Sequence, residues 1–370
     1  MSSRYCQQIT SRSRLLSYFR HAVAKKYPMC PSKMTLGLSL HRPEMIPLIA
    51  ERMRRHEAIF LEEPPATGFE PMLAGALAVD DYLRPLDVEY PAFSRNMCYL
   101  LRELKADEKN IFQIEPFLEI LLGIHEFFAE GHQPGELNKT SIQYPVYLTE
   151  RNATKALLDY YQIAVTGSFE ETVAAVKQFA RMDAARFRLR DSLRAQELGS
   201  KIRKFSSSYV DAGVIHYPLW RLLREQMMQP EKLKLMHIAD DALKTVGDCG
   251  HLYGPGDQLT LLYVFHPNLA KTRREELLAA RSIIFSKISQ KDELTDNLKK
   301  FPHLQDELAC IRMTRQLGLD DCRRLFTLVR RAKSSVARQI VDQYVAGSAT
   351  TSKSGGMRKI HKRDRTTCRW

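Results

Sequence analysis

The chain has 370 residues, of which 44% are hydrophobic, and a formal net charge of +13. This length is enough for one large domain or two ordinary ones, and the charge alone is typical of nucleic-acid-binding proteins. The charge is concentrated at the ends, however. Residues 1–33 hold seven Lys or Arg and no acid, and residues 348–370 hold seven Lys or Arg and one acid. Without these tails the basic and acidic counts are equal. Nucleic-acid binding is therefore expected only non-specifically, through the tails.

Both tails are rich in Ser and Thr and are predicted to be disordered, because they lack the apolar content to pack. The first tail is similar to a transit peptide; alternatively it is an overextended start, with Met34 as the true first residue. No stretch has the roughly 18 uncharged apolar residues of a membrane span. The seven cysteines include no CxxC pair, which predicts a reducing compartment and no disulfide framework. A cytoplasmic protein without a membrane span follows from these features.

Short apolar runs predict strands at 34–41, 58–65, 110–116, 208–216 and 257–265. The LYGPGD segment before the last run breaks a helix and favours a turn. Helical patterns separate the strands, including one at 94–107 with Ser94 as its cap and a long one at 168–204. Another helical pattern, charged and broken at Pro302, fills 272–345. The fold class is therefore α/β, with a mainly parallel central sheet flanked by helices and a helical C-terminal region. The predicted division is an α/β domain at 34–270 and a helical extension at 271–347 packed on it.

Several titratable residues follow predicted strands at their carboxyl ends, which is where open parallel sheets bind ligands. They are His41, Glu62, Glu63, Glu115 and His216. The two histidines share a context, because each follows a short apolar run with a Gly and precedes a Pro and a helical pattern. Two imidazoles and a carboxylate can hold a divalent metal that activates water. Alternatively, each histidine only caps its strand, and Glu115 forms an ordinary ion pair.

Adjacent residues of a strand point to opposite faces, so only one of Glu62 and Glu63 is expected in a given site. FLEEP and FQIEP share the pattern Phe-x-x-Glu-Pro, a hint of duplication that pairs Glu63 with Glu115. Arg190 and Arg194 share one helix face and could bind an anionic group, unless that face is simply solvated. Asp191 is turned about 100° from Arg190, away from the predicted site.

The order of these elements resembles the TraB/TIKI superfamily, which includes ChaN-like and erythromycin-esterase-like proteins. The early element GLSLH carries His41, the Glu lies in FLEEP, the Arg helix is RLRDSLRAQEL, and the later GVIH carries Gly213 and His216. The resemblance covers about 34–225. One departure is the spacing from Gly37 to His41, which is one residue longer than Gly-x-x-His. The family pattern favours Glu62 over Glu63, whereas the FxxEP comparison favours Glu63.

The resemblance implies a metal-dependent hydrolase acting on a small-molecule or peptide substrate, through an ester or other acyl bond. Mn, Co or Zn would be held by His41, Glu62 and His216, whose side-chain tips should then lie within roughly 8 Å of each other. Catalytic roles are expected for Glu63, Glu115, Arg190 and Arg194, and Gly213 and Tyr217 would lie beside the cofactor. The alternative is a non-catalytic protein that binds haem or another planar ligand, with Tyr217 and Trp220 as pocket walls. The sequence does not give the substrate or the oligomeric state.

Overall fold

The computed structural model describes residues 33–227, 229–247, 252–268, 272–294 and 300–354, with side chains described up to residue 347. Five strands form one sheet in the order β3-β2-β4-β1-β5, and every pairing in it is parallel. The strands are β1 (Lys33–Ser39), β2 (Ala58–Leu61), β3 (Asn110–Gln113), β4 (Ser207–Gly213) and β5 (Leu233–His237). The predicted α/β class with a parallel sheet is confirmed.

Fourteen α-helices lie within the described residues. They are α1 (Ile46–Met53), α2 (Phe69–Leu73), α3 (Val79–Leu83), α4 (Pro91–Ala106), α5 (Pro116–Ala129), α6 (Gln143–Thr166), α7 (Phe169–Lys201), α8 (Tyr217–Gln226), α9 (Asp240–Thr245), α10 (Pro255–Phe265), α11 (Arg273–Ile288), α12 (Pro302–Arg315), α13 (Leu319–Val329) and α14 (Ser334–Ser354). Four short 3-10 turns accompany them: Pro43–Met45, Pro134–Glu136, Ile202–Lys204 and Pro230–Lys232. No helix in the described part of the chain combines the length and apolar character needed to cross a membrane.

The sheet is covered on both faces, as a parallel sheet requires. One face packs Leu36, Phe60 and Val210 against α7 and α8. The other face packs Ile59 and Tyr209 against α1 and α4. This burial on both sides explains why the strands read as continuous apolar runs.

Gly37 allows close packing between β1 and β4. A Cβ atom at this position would lie 2.0 Å from the Tyr209 hydroxyl oxygen. Only a residue without a side chain therefore lets the Tyr209 ring cross β1. Gly37, the glycine that precedes His41, is therefore needed for packing within the sheet.

The prediction of a last strand at 257–265 was wrong, because these residues form α10. The preceding GPGD segment starts this helix: Pro255 lies in its first turn, and the Gly254 N–H donates to Asp257 Oδ2 at 2.9 Å. The missed fifth strand is β5, which pairs along β1. Its five residues, LKLMH, are too short for a periodic signal that separates strand from helix.

Two other boundaries differ from the prediction. Helix α4 begins at Pro91, three residues before Ser94, and Ser94 does not cap it. Helix α14 continues through 348–354, which the sequence assigned to the second tail. Residues 1–32 and 355–370 lie outside the described residues, so the expected disorder of the tails stays a prediction there. The division at residue 270 also stays a prediction; α10 shares a hydrophobic core with α11 and α13.

Two carboxylates tie the C-terminal region to the first half of the chain. Glu44, just after β1, accepts the His303 N–H at 2.9 Å at the start of α12, and it contacts His303 Nδ1 at 2.7 Å. Glu293 accepts the N–H groups of Ala92 and Phe93 at 2.8 and 3.0 Å at the start of α4. These reciprocal helix caps hold the loop after β1 between distant parts of the chain.

Candidate functional site

The predicted residues at the strand ends do lie at one edge of the sheet. Because β1 to β4 are parallel, the segments that follow them leave the sheet on the same side. Glu62 follows β2 directly, while the others follow their strands by two or three residues: His41, Glu115 and His216. Helix α7 brings Arg190, Asp191 and Arg194 to this edge. The strand-end cluster is defined here as Glu62, Glu115, Arg190, Asp191, Arg194, Asp211 and His216.

Glu62 is the centre of this cluster. Its Oε1 atom lies 2.7 Å from His216 Nε2 and 2.7 Å from Arg190 Nη2. Its Oε2 atom accepts the Gly213 N–H at 2.6 Å. Burial opposes ionisation of Glu62, but His216 and Arg190 outweigh it and hold the pKa of its carboxyl well below the usual range. Glu62 is therefore a carboxylate at neutral pH.

His216 is held between two carboxylates. Its Nδ1 atom lies 2.5 Å from Asp191 Oδ1, and both side chains are buried. Burial disfavours the charged ring, but Glu62 and Asp191 outweigh that cost and raise the pKa of His216 to about 9. At neutral pH the ring is an imidazolium that donates to both carboxylates.

Asp191 is the first residue that the sequence reasoning missed. The 100° turn from Arg190 was taken to exclude it from the site. Helix α7 is buried on more than one side here, so Asp191 meets His216 while Arg190 meets Glu62. An acidic residue flanked by arginines on a buried helix segment could have indicated that Asp191 has a buried partner.

Arg190 joins two strand ends. It bonds Glu62, and its Nε atom lies 3.1 Å from Glu115 Oε2, an ion pair without good hydrogen-bond geometry. Glu115 is fully buried, and burial outweighs Arg190 and Arg194 to raise the pKa of its carboxyl. Arg190 is the more accessible of the two arginines, with 19% of its side chain exposed.

Arg194 has a different role from the one predicted. It is fully buried, with Nε donating to the Ile114 carbonyl at 2.9 Å and Nη2 donating to the Asp211 carbonyl at 2.6 Å. Its Nη1 atom lies 3.8 Å from Glu62. The guanidinium therefore joins the backbone after β3 to the backbone of β4, and it adds positive charge behind Glu62.

Asp211 is the second residue that the sequence reasoning missed. It lies inside β4, its side chain is buried, and its Oδ1 atom has no hydrogen-bond partner. Burial raises the pKa of Asp211 to about 6, while the charge of His41 is the largest influence that opposes the rise and Glu62 adds to it. A charged residue within an otherwise apolar strand was the signal that could have revealed it.

His41 is half-buried, and its charge favours the ionised form of Asp211. Its ring stacks on Phe93, with 5.1 Å between ring centroids. Because Phe93 is in the first turn of α4, the cap from Glu293 also steadies the surroundings of His41. The strand ends thus offer a half-buried imidazole and a buried carboxyl group with a pKa of about 6.

The remaining predicted residues lie around this cluster. Glu63 is exposed and accepts a hydrogen bond from Gln113 Nε2 at 2.9 Å. Gly213 contributes its N–H to Glu62, and the space around it would accept a Cβ atom. Tyr217 packs on Trp220 and Phe265, with ring centroids 5.6 and 5.9 Å apart. The two adjacent glutamates therefore diverge, as the alternation of strand side chains predicts.

Two of the side chains predicted to bind a metal are instead hydrogen-bonded to each other. His216 Nε2 and Glu62 Oε1 bond each other, and a protonated ring nitrogen has no lone pair for a metal. Within the described residues, no group of three or more His, Cys, Asp or Glu side chains is placed to hold a metal ion. In this arrangement the residues do not fit the implied ion, because the 2.7 Å contact would have to break first. The metal site, like the haem alternative, stays a prediction.

The fold and cluster together define an α/β protein with a buried network of charges at the carboxyl edge of a parallel sheet. A comparison with family models finds no match. The chain is similar to an uncharacterised protein of Archaeoglobus fulgidus, with 27% identity over 286 residues, which cover 77% of this chain and 94% of the relative. No solved structure matches the chain.

Proposed function

We propose that the protein is a hydrolase of the TraB/TIKI kind that cleaves an acyl bond in an ester, peptide or related substrate. The observation that carries the proposal is the Arg190–Glu62–His216 network at one sheet edge, together with the buried Asp211 carboxyl, whose pKa is influenced by both His41 and Glu62. The sequence resemblance supports the same class, since it rests on His41, Glu62, Arg190 and His216.

The chemistry needs a proton acceptor and a positive charge. Asp211, with a pKa of about 6, is ionised at neutral pH, and His41, which favours that ionised form, would share a proton with it. This pair would take the proton from water as the water oxygen attacks the acyl carbon. Arg190 would stabilise the negative charge that develops on the acyl oxygen. Collapse of the intermediate would return the proton to the leaving group.

The buried part of the network positions these groups. Asp191 fixes the ring of His216, and His216 in turn fixes Glu62. Glu62 and Glu115 then hold the Arg190 guanidinium between them. Such preorganisation means that the positive charge needs little rearrangement during the reaction.

The test is hydrolysis of a panel of p-nitrophenyl esters and short peptides by the full chain, with Asp211→Asn as the isosteric variant. Removing a general base lowers kcat/KM by about 100-fold or more. Asp81→Asn is the matched control, because Asp81 is a surface residue paired only with Arg84 in the described contacts. Absence of hydrolysis across the panel, or equal rates in Asp211→Asn and wild type, would overturn the proposal.

Metal dependence is measured in the same assay. Each reaction is run with EDTA and with added Mn, Co or Zn, and the purified protein is analysed for bound metal and for its visible spectrum. Activity that requires one ion would place the metal in the hydrolase. A Soret band without hydrolysis would instead favour the haem-binding alternative.

A further inference from the structure

A polar cavity lies apart from the strand-end cluster, between the loop after β1 and the C-terminal helices. Its volume is about 130 Å³. Its walls come from that loop, the end of α11 and the first turns of α12, and include Arg42, Phe285, Ser289, His303, Asp306 and Glu307. The cap from Glu44 joins two of these elements, the loop after β1 and the start of α12, so this part of the wall is fixed.

Arg42 provides a fixed donor at the cavity wall. Its guanidinium carbon lies 3.9 Å from the centroid of the Tyr90 ring, which sets the plane of the group. Its Nη1 atom is buried and has no hydrogen-bond partner among the described residues. A buried guanidinium nitrogen without an acceptor is costly, so a ligand oxygen would relieve an existing deficit.

Glu307 provides the complementary acceptor. Its carboxyl makes no hydrogen bond among the described residues. Burial raises its pKa to about 7, nearby Asp257 adds to the rise, and Arg42 opposes it. A positive group from outside would stabilise the ionised carboxylate.

The other polar side chains of the wall already have partners. His303 contacts Glu44 through Nδ1 and accepts the Leu294 N–H at Nε2. Asp306 pairs with Arg338. Gln290 also lines the cavity, but among the charged side chains of the wall Arg42 and Glu307 are the two that make no ion pair with another described residue.

We propose that this cavity binds a small zwitterion, with a carboxylate on Arg42 and an ammonium group on Glu307. One donor site and one acceptor site in the same cavity match a ligand that carries both charges better than a simple anion or cation. A cavity of roughly 150 Å³ holds a molecule the size of benzene, so about six non-hydrogen atoms fit. Free glycine, alanine or β-alanine are of this size. The inference does not rest on the hydrolase proposal, because the cavity and its two groups stand apart from the strand-end cluster.

Calorimetric titration of the full chain with β-alanine tests the proposal. Propionate and propylammonium serve as probes that each carry one of the two charges. Saturable binding of β-alanine is expected, with both single-charge probes binding at least tenfold more weakly. Equal binding by either single-charge probe, or no saturable binding of β-alanine at millimolar concentrations, would overturn the zwitterion assignment.

Variants assign the two charges to their residues. Glu307→Gln keeps the shape of the side chain and is expected to weaken β-alanine binding at least tenfold while leaving propionate unchanged. Arg42→Met is expected to have the reverse selectivity, weakening β-alanine and propionate but not propylammonium. The exposed pair Arg54 and Glu103, 2.8 Å apart, supplies the controls Arg54→Met and Glu103→Gln. Thermal unfolding of each variant verifies folding, and loss of binding in the controls as well would contradict the assignment.

Discussion

Helix α7 carries two buried clusters of charge, and they differ in how completely their polar groups are paired. The helix cluster comprises Lys177, Arg181, Tyr263 and Glu275. There the buried Glu275 carboxylate receives Lys177 at 3.5 Å, Arg181 at 3.3 Å and the Tyr263 hydroxyl at 3.1 Å. The helix cluster is fully paired within the protein, because the Glu275 carboxylate contacts two cations and a hydroxyl group at a helix interface.

The strand-end cluster is unlike it. Both oxygens of Glu115, Oδ2 of Asp191, Oδ1 of Asp211 and Nη1 of Arg194 are buried without hydrogen-bond partners. Native proteins leave few such groups, and clusters of them with shifted pKa values are typical of functional sites. Helix α7 therefore carries one cluster whose charges are paired, as in a structural ion-pair network, and one cluster whose buried polar atoms are partly without hydrogen-bond partners.

The sharpest test of this contrast removes one arginine from each cluster. Arg194→Met leaves two buried backbone carbonyls without their charged donor and removes a positive charge behind Glu62, so the free energy of unfolding should fall by about 3–5 kcal/mol. Arg181→Met removes a side chain that is 33% exposed, and its pair with Glu275 is partly replaced by Lys177, so about 1 kcal/mol is expected. Urea unfolding measures both free energies, and equal losses of stability in the two variants would show that the two clusters do not differ in this way.

The second largest expected effect is an increase in stability. Burial raises the pKa of Asp211 from 3.8 to about 6, so ionising this group costs the folded state stability as the pH rises through 6. Asp211→Asn removes that cost, and the free energy of unfolding should increase by about 2–3 kcal/mol at pH 8. The gain should shrink as the pH falls from 6 to about 4 and be absent below that, where both states bind the proton. A variant that is less stable at pH 8 would show that Asp211 is structurally satisfied.

Arg190→Lys separates activity from stability. Lysine keeps the charge but cannot hold Glu62 and Glu115 together through one planar group. On an acyl substrate that wild type hydrolyses, kcat/KM should fall by an amount equal to about 1.5–3 kcal/mol, while the free energy of unfolding changes by about 1 kcal/mol or less. Arg181→Lys in the helix cluster is the control and should leave kcat/KM unchanged. A large loss of stability with unchanged kinetics would make Arg190 a structural residue.

The smallest effect is on the charge of His216. Its pKa of about 9 lies above the usual value, so the ion pairs stabilise the fold fully below pH 6.5 and lose that contribution as the pH rises through 9. Asp191→Asn should lower the pKa of His216 by about one unit, which equals about 1.4 kcal/mol. NMR titration of the ring measures this pKa. Asp183→Asn on the same helix, which removes a partner of Arg186, should leave it unchanged.

Much of the residue composition at the carboxyl edge of the sheet could be predicted from the sequence, because it follows from the direction of the strands. Once the strands are parallel, residues after their carboxyl ends must gather, which placed Glu62, Glu115 and His216 correctly. Side-chain pairing did not follow from the same rule. Asp191 and Asp211 became visible only in the packed structure, since their contacts depend on which sides of α7 and β4 are buried.

The errors in secondary structure have a similar cause. An apolar run such as LTLLYVF fits a buried strand and a buried helix equally well, and only Pro255 and Asp257 before it favoured a helix start. β5 is specified by its pairing with β1 rather than by its own five residues. Tertiary contacts decide such short segments.

The reciprocal caps have a consequence for the order of events during synthesis. The carboxylate of Glu44 is 259 residues from His303 in sequence, and Glu293 is 201 residues from Ala92. The ribosome therefore completes the first four sheet strands long before the partners that steady the loop of His41 exist. An emerging chain can assemble the sheet and the strand-end cluster, whose last member is His216, before α12 exists. The loop that carries His41 gains its cap only near the end of translation.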